Sequence, residues 1–195
     1  MKKIILTLLT SLVFIGLNAQ DFEIPTNYVF SKPEDYSKYE KEIIKACDWV
    51  TTTPINEQTD KRKEVNTFLM QWLTGCPYVS LEIKTEIMNF VKPNPDLLMI
   101  FMAGWTKYSL VSKEFNNKVN GNLSGVEAVI EFYLKNKDNL KKDKNVEKYI
   151  DMKEKGTLED YINLLLPFLK PPELFFKVKV LFLIKHFFPF SAHLF

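Results

Sequence analysis

The chain has 195 residues, enough for one domain with a substantial core, and 46% of its residues are hydrophobic. Its formal charge of +2 at pH 7 is an average over three unlike parts. Residues 1–19 hold two lysines, and residues 163–195 hold four lysines and one glutamate. The remaining part, residues 20–162, holds 20 basic and 23 acidic residues, a net charge of −3. Such a mixture lacks the basic stripe that neutralises phosphates, so nucleic acid is excluded as the expected partner.

The first 19 residues have the pattern of a secretory signal peptide. Lys2 and Lys3 precede an apolar run that is too short to span a bilayer well, and Ala19 supplies the small residue before the expected cut. No cysteine follows that would receive a lipid. We therefore predict a bacterial protein that is exported to the periplasm or secreted after cleavage near Ala19. The alternative is a buried N-terminal helix.

Apolar residues in the first half of the mature chain recur at helical spacing. This pattern predicts a first helix over 36–50, shortly after Pro33. A second helix is predicted from Pro54 to Gly75, where glycine gives a C-terminal stop signal. Ser80 is the expected cap of a third helix that ends near residue 91.

The fourth predicted helix, from Leu97 through Trp105 and onward to residue 111, begins without any polar face, which places it in the middle of the domain. A polar link follows, and further helices are predicted after Ser124, over 146–156 and after Thr157. The sequence thus predicts an all-α fold, an irregular bundle of six to seven helices. The alternative is a helical-repeat-like superhelical stack, although the helix starts follow no regular period.

Catalytic motifs are scarce before the tail. The histidines are His186 and His193, so residues 20–162 offer no imidazole for acid–base catalysis, metal binding or activation of a nucleophile. The glycines form no phosphate-binding loop. No cofactor and no metal site is predicted. Asn122 begins an N-glycosylation sequence pattern, which we expect to remain unmodified in a bacterial protein.

Two glutamate pairs are spaced to share a helix face: Glu82 with Glu86, and Glu127 with Glu131. Paired carboxylates are sufficient for glycoside hydrolysis, so they keep a carboxylate enzyme as a hypothesis. Lysines close to each pair favour ordinary solvated helix surface instead.

Cys47 and Cys76 make a disulfide possible in an exported protein. In a simple hairpin of the first two helices, however, they would lie about 8 Å and about 28 Å from the turn at 1.5 Å per residue. A disulfide needs Cα atoms within about 7 Å of one another. Because Cys47 also belongs to the apolar stripe, two unpaired thiols are favoured over a bridge.

Trp105, Lys107 and Tyr108 are the candidate recognition surface of the body. They follow Gly104, and aromatic side chains beside a glycine often anchor a partner or stack on a sugar. The apolar run that precedes them favours core packing as the competing interpretation.

Residues 163–195 form a hydrophobic, basic C-terminal tail. No acidic residue follows Glu173, and lysines at 177, 179 and 185 together with Pro189 make a membrane-spanning helix unfavourable. Our hypothesis is that this tail is not part of the native fold, and membrane contact is expected only through it.

Two function classes remain. The first is an exported, non-catalytic helical protein that binds a protein or a cell-envelope component. The second is a carboxylate-based enzyme that acts on envelope glycans. The lack of histidine in the body and of any convergent polar motif favours the first class.

Overall fold

The computed structural model describes residues 22–82 and 84–166, and all regular elements within them are helical. In chain order they are α1 (Pro33–Lys38), α2 (Glu40–Thr52), α3 (Thr59–Gly75), a short 3-10 turn (Asn89–Val91), α4 (Leu97–Ser112), α5 (Lys118–Lys135), α6 (Lys144–Glu154) and α7 (Leu158–Leu165). No strand occurs in these residues. The predicted all-α class with a multi-helix bundle is confirmed.

Helix α4 lies at the centre of the bundle, as its apolar surface predicts. Its buried residues include Leu97, Phe101 and Trp105. It packs against both α5 and α2, while α5 also contacts α6 and α7. Helix α4 thus contacts helices from earlier and later parts of the chain, as expected for the central helix of a multi-helix bundle.

Glycines allow α4 and α5 to approach closely. A Cβ atom at Gly104 would lie 2.6 Å from the Cβ of Ala128, and one at Gly121 would lie 2.1 Å from Nε1 of Trp105. Both distances are well below van der Waals contact, so neither position accepts a larger residue unless the helices move apart. The α4–α5 contact, the most extensive one between helices, depends on these two small residues.

Helix α5 starts at Lys118 and not at Ser124, so the predicted polar link before it is too long. The side chain of Asn117 caps the helix, because its Oδ1 accepts a hydrogen bond of 3.0 Å from the backbone N–H of Asn120. Gly121 had the sequence character of a turn, yet it lies inside the helix on the side that faces α4.

The predicted third helix over 80–91 is wrong. The described residues of this segment form turns that end in the 3-10 turn. The hydroxyl of Tyr149 on α6 donates to the backbone carbonyl of Ile87 at 2.8 Å. Leu81 and Phe90 are buried in the core at the same time. These contacts with distant parts of the chain outweigh the local helical spacing.

The first two predicted helices are real, but their limits differ. Tyr39, with φ −101° and ψ 7°, separates α1 from α2, so the first helix is split in two. Helix α3 starts at Thr59, after a corner of bends and turns that contains Pro54.

Arg62 holds that corner in place. Its guanidinium donates to the carbonyls of Val50 at 3.0 Å and Thr53 at 2.5 Å, near the C-terminal end of α2, and to that of Pro54 at 3.1 Å. It also lies 5.5 Å from the centre of the Trp49 ring. A buried cation thus satisfies carbonyls at the end of a helix, where positive charge is favourable.

Helix α7 extends past the predicted domain boundary. The boundary after Ile162 lies inside the helix, and Leu165 and Leu166 pack against the core. The domain therefore reaches at least Leu166. The predicted signal peptide, residues 1–19, and the tail from residue 167 onward lie outside the described residues.

Candidate functional site

Helices α2, α4 and α5 line a cleft of about 390 Å³. Within each helix the lining residues recur at steps of three or four positions, singly or as adjacent pairs, which is the spacing of a single helix face. The residues that line it are Cys47, Asp48, Thr51 and Thr52 from α2, Ala103, Gly104, Lys107, Tyr108, Val111 and Ser112 from α4, and Ser124, Glu127, Ala128, Glu131 and Lys135 from α5.

Small residues line this cleft where α4 and α5 meet. They are Ala103, Gly104 and Ala128, and they let the two helices pack closely, since a Cβ atom at Gly104 would lie 2.6 Å from that of Ala128. Cys47 lies beside them with 0% of its surface exposed. Burial raises the pKa of the Cys47 thiol, which therefore stays protonated and is a poor nucleophile.

Ion pairs between helices form the charged walls. Lys107 on α4 lies 2.5 Å from Asp48 on α2. Lys153 on α6 lies 3.1 Å from Glu127 and 3.8 Å from Glu131, so one ammonium serves both carboxylates of α5. The acidic groups that line the cleft thus have a lysine within ion-pair distance.

Tyr108 belongs to a network at the turn between α4 and α5. Its hydroxyl donates to the carboxylate of Glu114 and accepts a hydrogen bond of 3.1 Å from the side chain of Asn120. Asn117 donates to the same carboxylate at 2.9 Å. These hydrogen bonds, that of Tyr108 above all, lower the pKa of Glu114.

We expect this network to weaken in acid. Because the folded-state pKa of Glu114 is depressed, its stabilising effect is present above the ordinary carboxyl pKa and is lost as the pH falls through the lower folded value. Urea denaturation should show Glu114→Gln to be less stable than the unmodified protein at neutral pH, and the difference should shrink as the pH falls below the ordinary carboxyl pKa. Glu57→Gln, in an exposed loop, is the control. A gap of the same size at neutral and at acidic pH would contradict the assignment.

The predicted recognition residues separate into two groups. Lys107 and Tyr108 line the cleft. Trp105 does not, because its side chain is 2% exposed and its ring packs edge-on against Phe101 with the centres 5.9 Å apart. The prediction that Trp105 belongs to an exposed recognition surface is therefore wrong. Consecutive helical residues are rotated by about 100°, so Trp105 and Lys107 project from nearly opposite sides of α4.

Of the two predicted glutamate pairs, one lines the cleft and the other does not. Glu127 and Glu131 lie on α5 and line the cleft. Glu82 and Glu86 share no helix face, because their segment is not helical, and Glu82 pairs with Lys84 at 2.6 Å. Asn122 is fully buried in α5, which makes it inaccessible to glycosylation in the folded protein.

Cys47 and Cys76 are both buried free thiols in the structure. Cys76 follows the end of α3, where its sulfur accepts a hydrogen bond of 3.4 Å from the backbone of Val79. We expect both to react with a thiol reagent in denaturant without reductant, and slowly in the native state because burial raises both pKa values. If neither reacted in denaturant, a disulfide would replace this assignment.

Within residues 22–82 and 84–166, no helix combines the length and apolar character that crossing a membrane requires. The same residues contain no cluster of His, Cys, Asp or Glu side chains placed to bind a metal ion. Comparison with protein-family models, with curated proteins and with solved structures gives no significant match to this chain.

Proposed function

We propose that this is an exported, non-catalytic helical protein that binds a protein or cell-envelope component through the cleft between α2, α4 and α5. The observation that carries the proposal is the position of Lys107, Tyr108 and Val111 on one concave surface. Val111, close to the C-terminal end of α4, is 64% exposed and adds an apolar side chain to this surface.

The ion pairs support a binding function. Asp48, Glu127 and Glu131 each have a lysine ammonium close by. Each lysine belongs to a different helix from its carboxylates, so these charges are engaged in contacts between helices. Pairs of opposite charge on a cleft wall are well suited to orient a bound partner.

Export is supported by the leader pattern of residues 1–19. Mass spectrometry of the protein produced in a bacterium with its leader is expected to find an N-terminus near Gln20 and the product outside the cytoplasm. An intact N-terminus that remains in the cytoplasm would contradict export.

Binding can be tested by a pull-down from the envelope fraction with the full chain as bait. Val111→Glu should lose the captured component, because it places a charge in the cleft. Val29→Glu should retain it, since Val29 is 56% exposed and does not line the cleft. Equal capture by both variants would contradict a binding site in the cleft.

A second candidate is a carboxylate-based enzyme acting on envelope glycans. It is favoured by one observation: carboxylates from two helices, Asp48 on α2 and Glu127 on α5, line the same concave surface. Incubation with purified envelope glycans distinguishes the two candidates. The enzyme would be established if the protein released sugar fragments and both Asp48→Asn and Glu127→Gln abolished the release. A binding protein is expected to release none.

A further inference from the structure

We infer that the cleft takes a neutral, hydroxyl-rich ligand, namely a short segment of a cell-envelope glycan. This inference rests on the proposed binding function and names the class of its ligand. It follows from the size of the cleft, from the hydrogen-bonding capacity of its walls and from the balance of its charges.

The size of the cleft suits a small or thin ligand. The part of α4 that lines it, from Ala103 to Ser112, is about 14 Å long at 1.5 Å per residue. The cleft holds about 390 Å³, which lies in the range of small-molecule sites. A short oligosaccharide therefore fits.

The α2 wall presents hydrogen-bond acceptors. Thr51 and Thr52 donate their hydroxyl protons to backbone carbonyls four residues earlier, at 2.8 and 2.7 Å. Their oxygens consequently retain only acceptor capacity toward the cleft. Asp48 pairs with Lys107 through Oδ1, which leaves Oδ2 as another acceptor. A ligand for this wall must bring donors, and sugar hydroxyls are donors without a charge.

The charges of the cleft are balanced. Asp48 pairs with Lys107, Glu127 and Glu131 share Lys153, and Lys135 adds a further ammonium at the rim. At these pairs, a strongly charged ligand would compete with the group that carries its own sign of charge. A polyol can instead donate to the carboxylate and accept from the ammonium of the same pair, while both stay in place.

Apolar surface provides the remaining element of sugar recognition. Gly104 and Ala128 are partly exposed and Val111 is 64% exposed, so the C–H face of a sugar ring can lie against them. Ligand sites commonly combine such apolar surface with a few placed polar groups.

The test is an array of short neutral bacterial oligosaccharides probed with the full chain, followed by calorimetric titration of the best glycan. The double variant Asp48→Asn/Lys107→Gln removes the cleft pair. Asp60→Asn/Lys63→Gln removes an exposed pair of 2.9 Å on α3 and is the matched control. Both pairs are largely exposed and contribute little to stability, so both variants should fold, which melting curves check.

We expect glycan binding that is nearly independent of ionic strength, that weakens about tenfold in the cleft variant and that is unchanged in the control. Binding of no glycan, or equal binding by both double variants, would overturn the inference. So would capture only of basic peptides with a steep salt dependence, which would indicate a protein partner. If the envelope pull-down responds to Val111→Glu while no glycan binds, the binding function stands and only the glycan assignment fails.

Discussion

Replacing Gly104 with alanine is expected to lower the free energy of unfolding by about 2 kcal/mol. The new methyl group would lie 2.6 Å from the Cβ of Ala128 and 2.7 Å from the backbone oxygen of Ser124. Since one of these neighbours is main chain, α5 must move away from α4 and lose packing. The better helix propensity of alanine, about 1 kcal/mol, offsets only part of this cost. Urea denaturation measures the difference.

Gly156→Ala is the matched control, because a Cβ atom there meets nothing within 4 Å. Its φ of +69° costs alanine about 1 kcal/mol, without any steric contact. Adding Ala128→Gly to Gly104→Ala should recover part of the lost stability, because it removes one of the two clashes. If Gly104→Ala were no more harmful than Gly156→Ala, close helix contact would not explain the glycine.

Replacing Arg62 with methionine is expected to cost about 3 kcal/mol, because buried acceptors lose their donor. Arg62 is 8% exposed, and the carbonyls it serves belong to Val50, Thr53 and Pro54. Methionine keeps most of the apolar stem, so the loss reports the hydrogen bonds more than the packing. Thermal and urea denaturation of the full chain provide the measurement.

The neighbouring Lys63→Met is the control for charge removal. Lys63 is exposed and pairs with Asp60 on the same helix, so its loss should change stability by no more than about 0.5 kcal/mol. Arg62→Lys should fall in between, since an ammonium cannot reach three carbonyls in the geometry of a guanidinium. Equal effects of Arg62→Met and Lys63→Met would refute the role of Arg62 at the corner.

The sequence predicted the elements that local pattern determines. An apolar surface on every side placed α4 in the centre, and capping and stop signals located α6 and α7. The start of α5 was missed because Gly121 resembles a turn residue, whereas its role depends on Trp105 of another helix. The helix predicted over 80–91 was wrong for the same reason, since this segment bonds to Tyr149, which lies far away in sequence.

The candidate site could be predicted only in part. Lys107 and Tyr108 were identified from their position after Gly104, but the cleft exists only because α2 and α5 flank the same side of α4. No local spacing encodes that arrangement. The structural role of Arg62 was not predicted. A signal was present in the sequence, since Arg62 is the single arginine among 26 basic residues. Arginine is preferred over lysine where a buried cation must serve several acceptors.

Recognition through the cleft between α2, α4 and α5 is the central claim, and site-specific photo-crosslinking in the producing cell tests it most directly. A photoreactive side chain would replace Val111 in the cleft or, in a second variant, Val29 outside it, two valines of similar exposure, 64% and 56%. We expect a specific adduct from position 111 and none from position 29. Adducts from position 29 alone, or identical adducts from both positions, would contradict it.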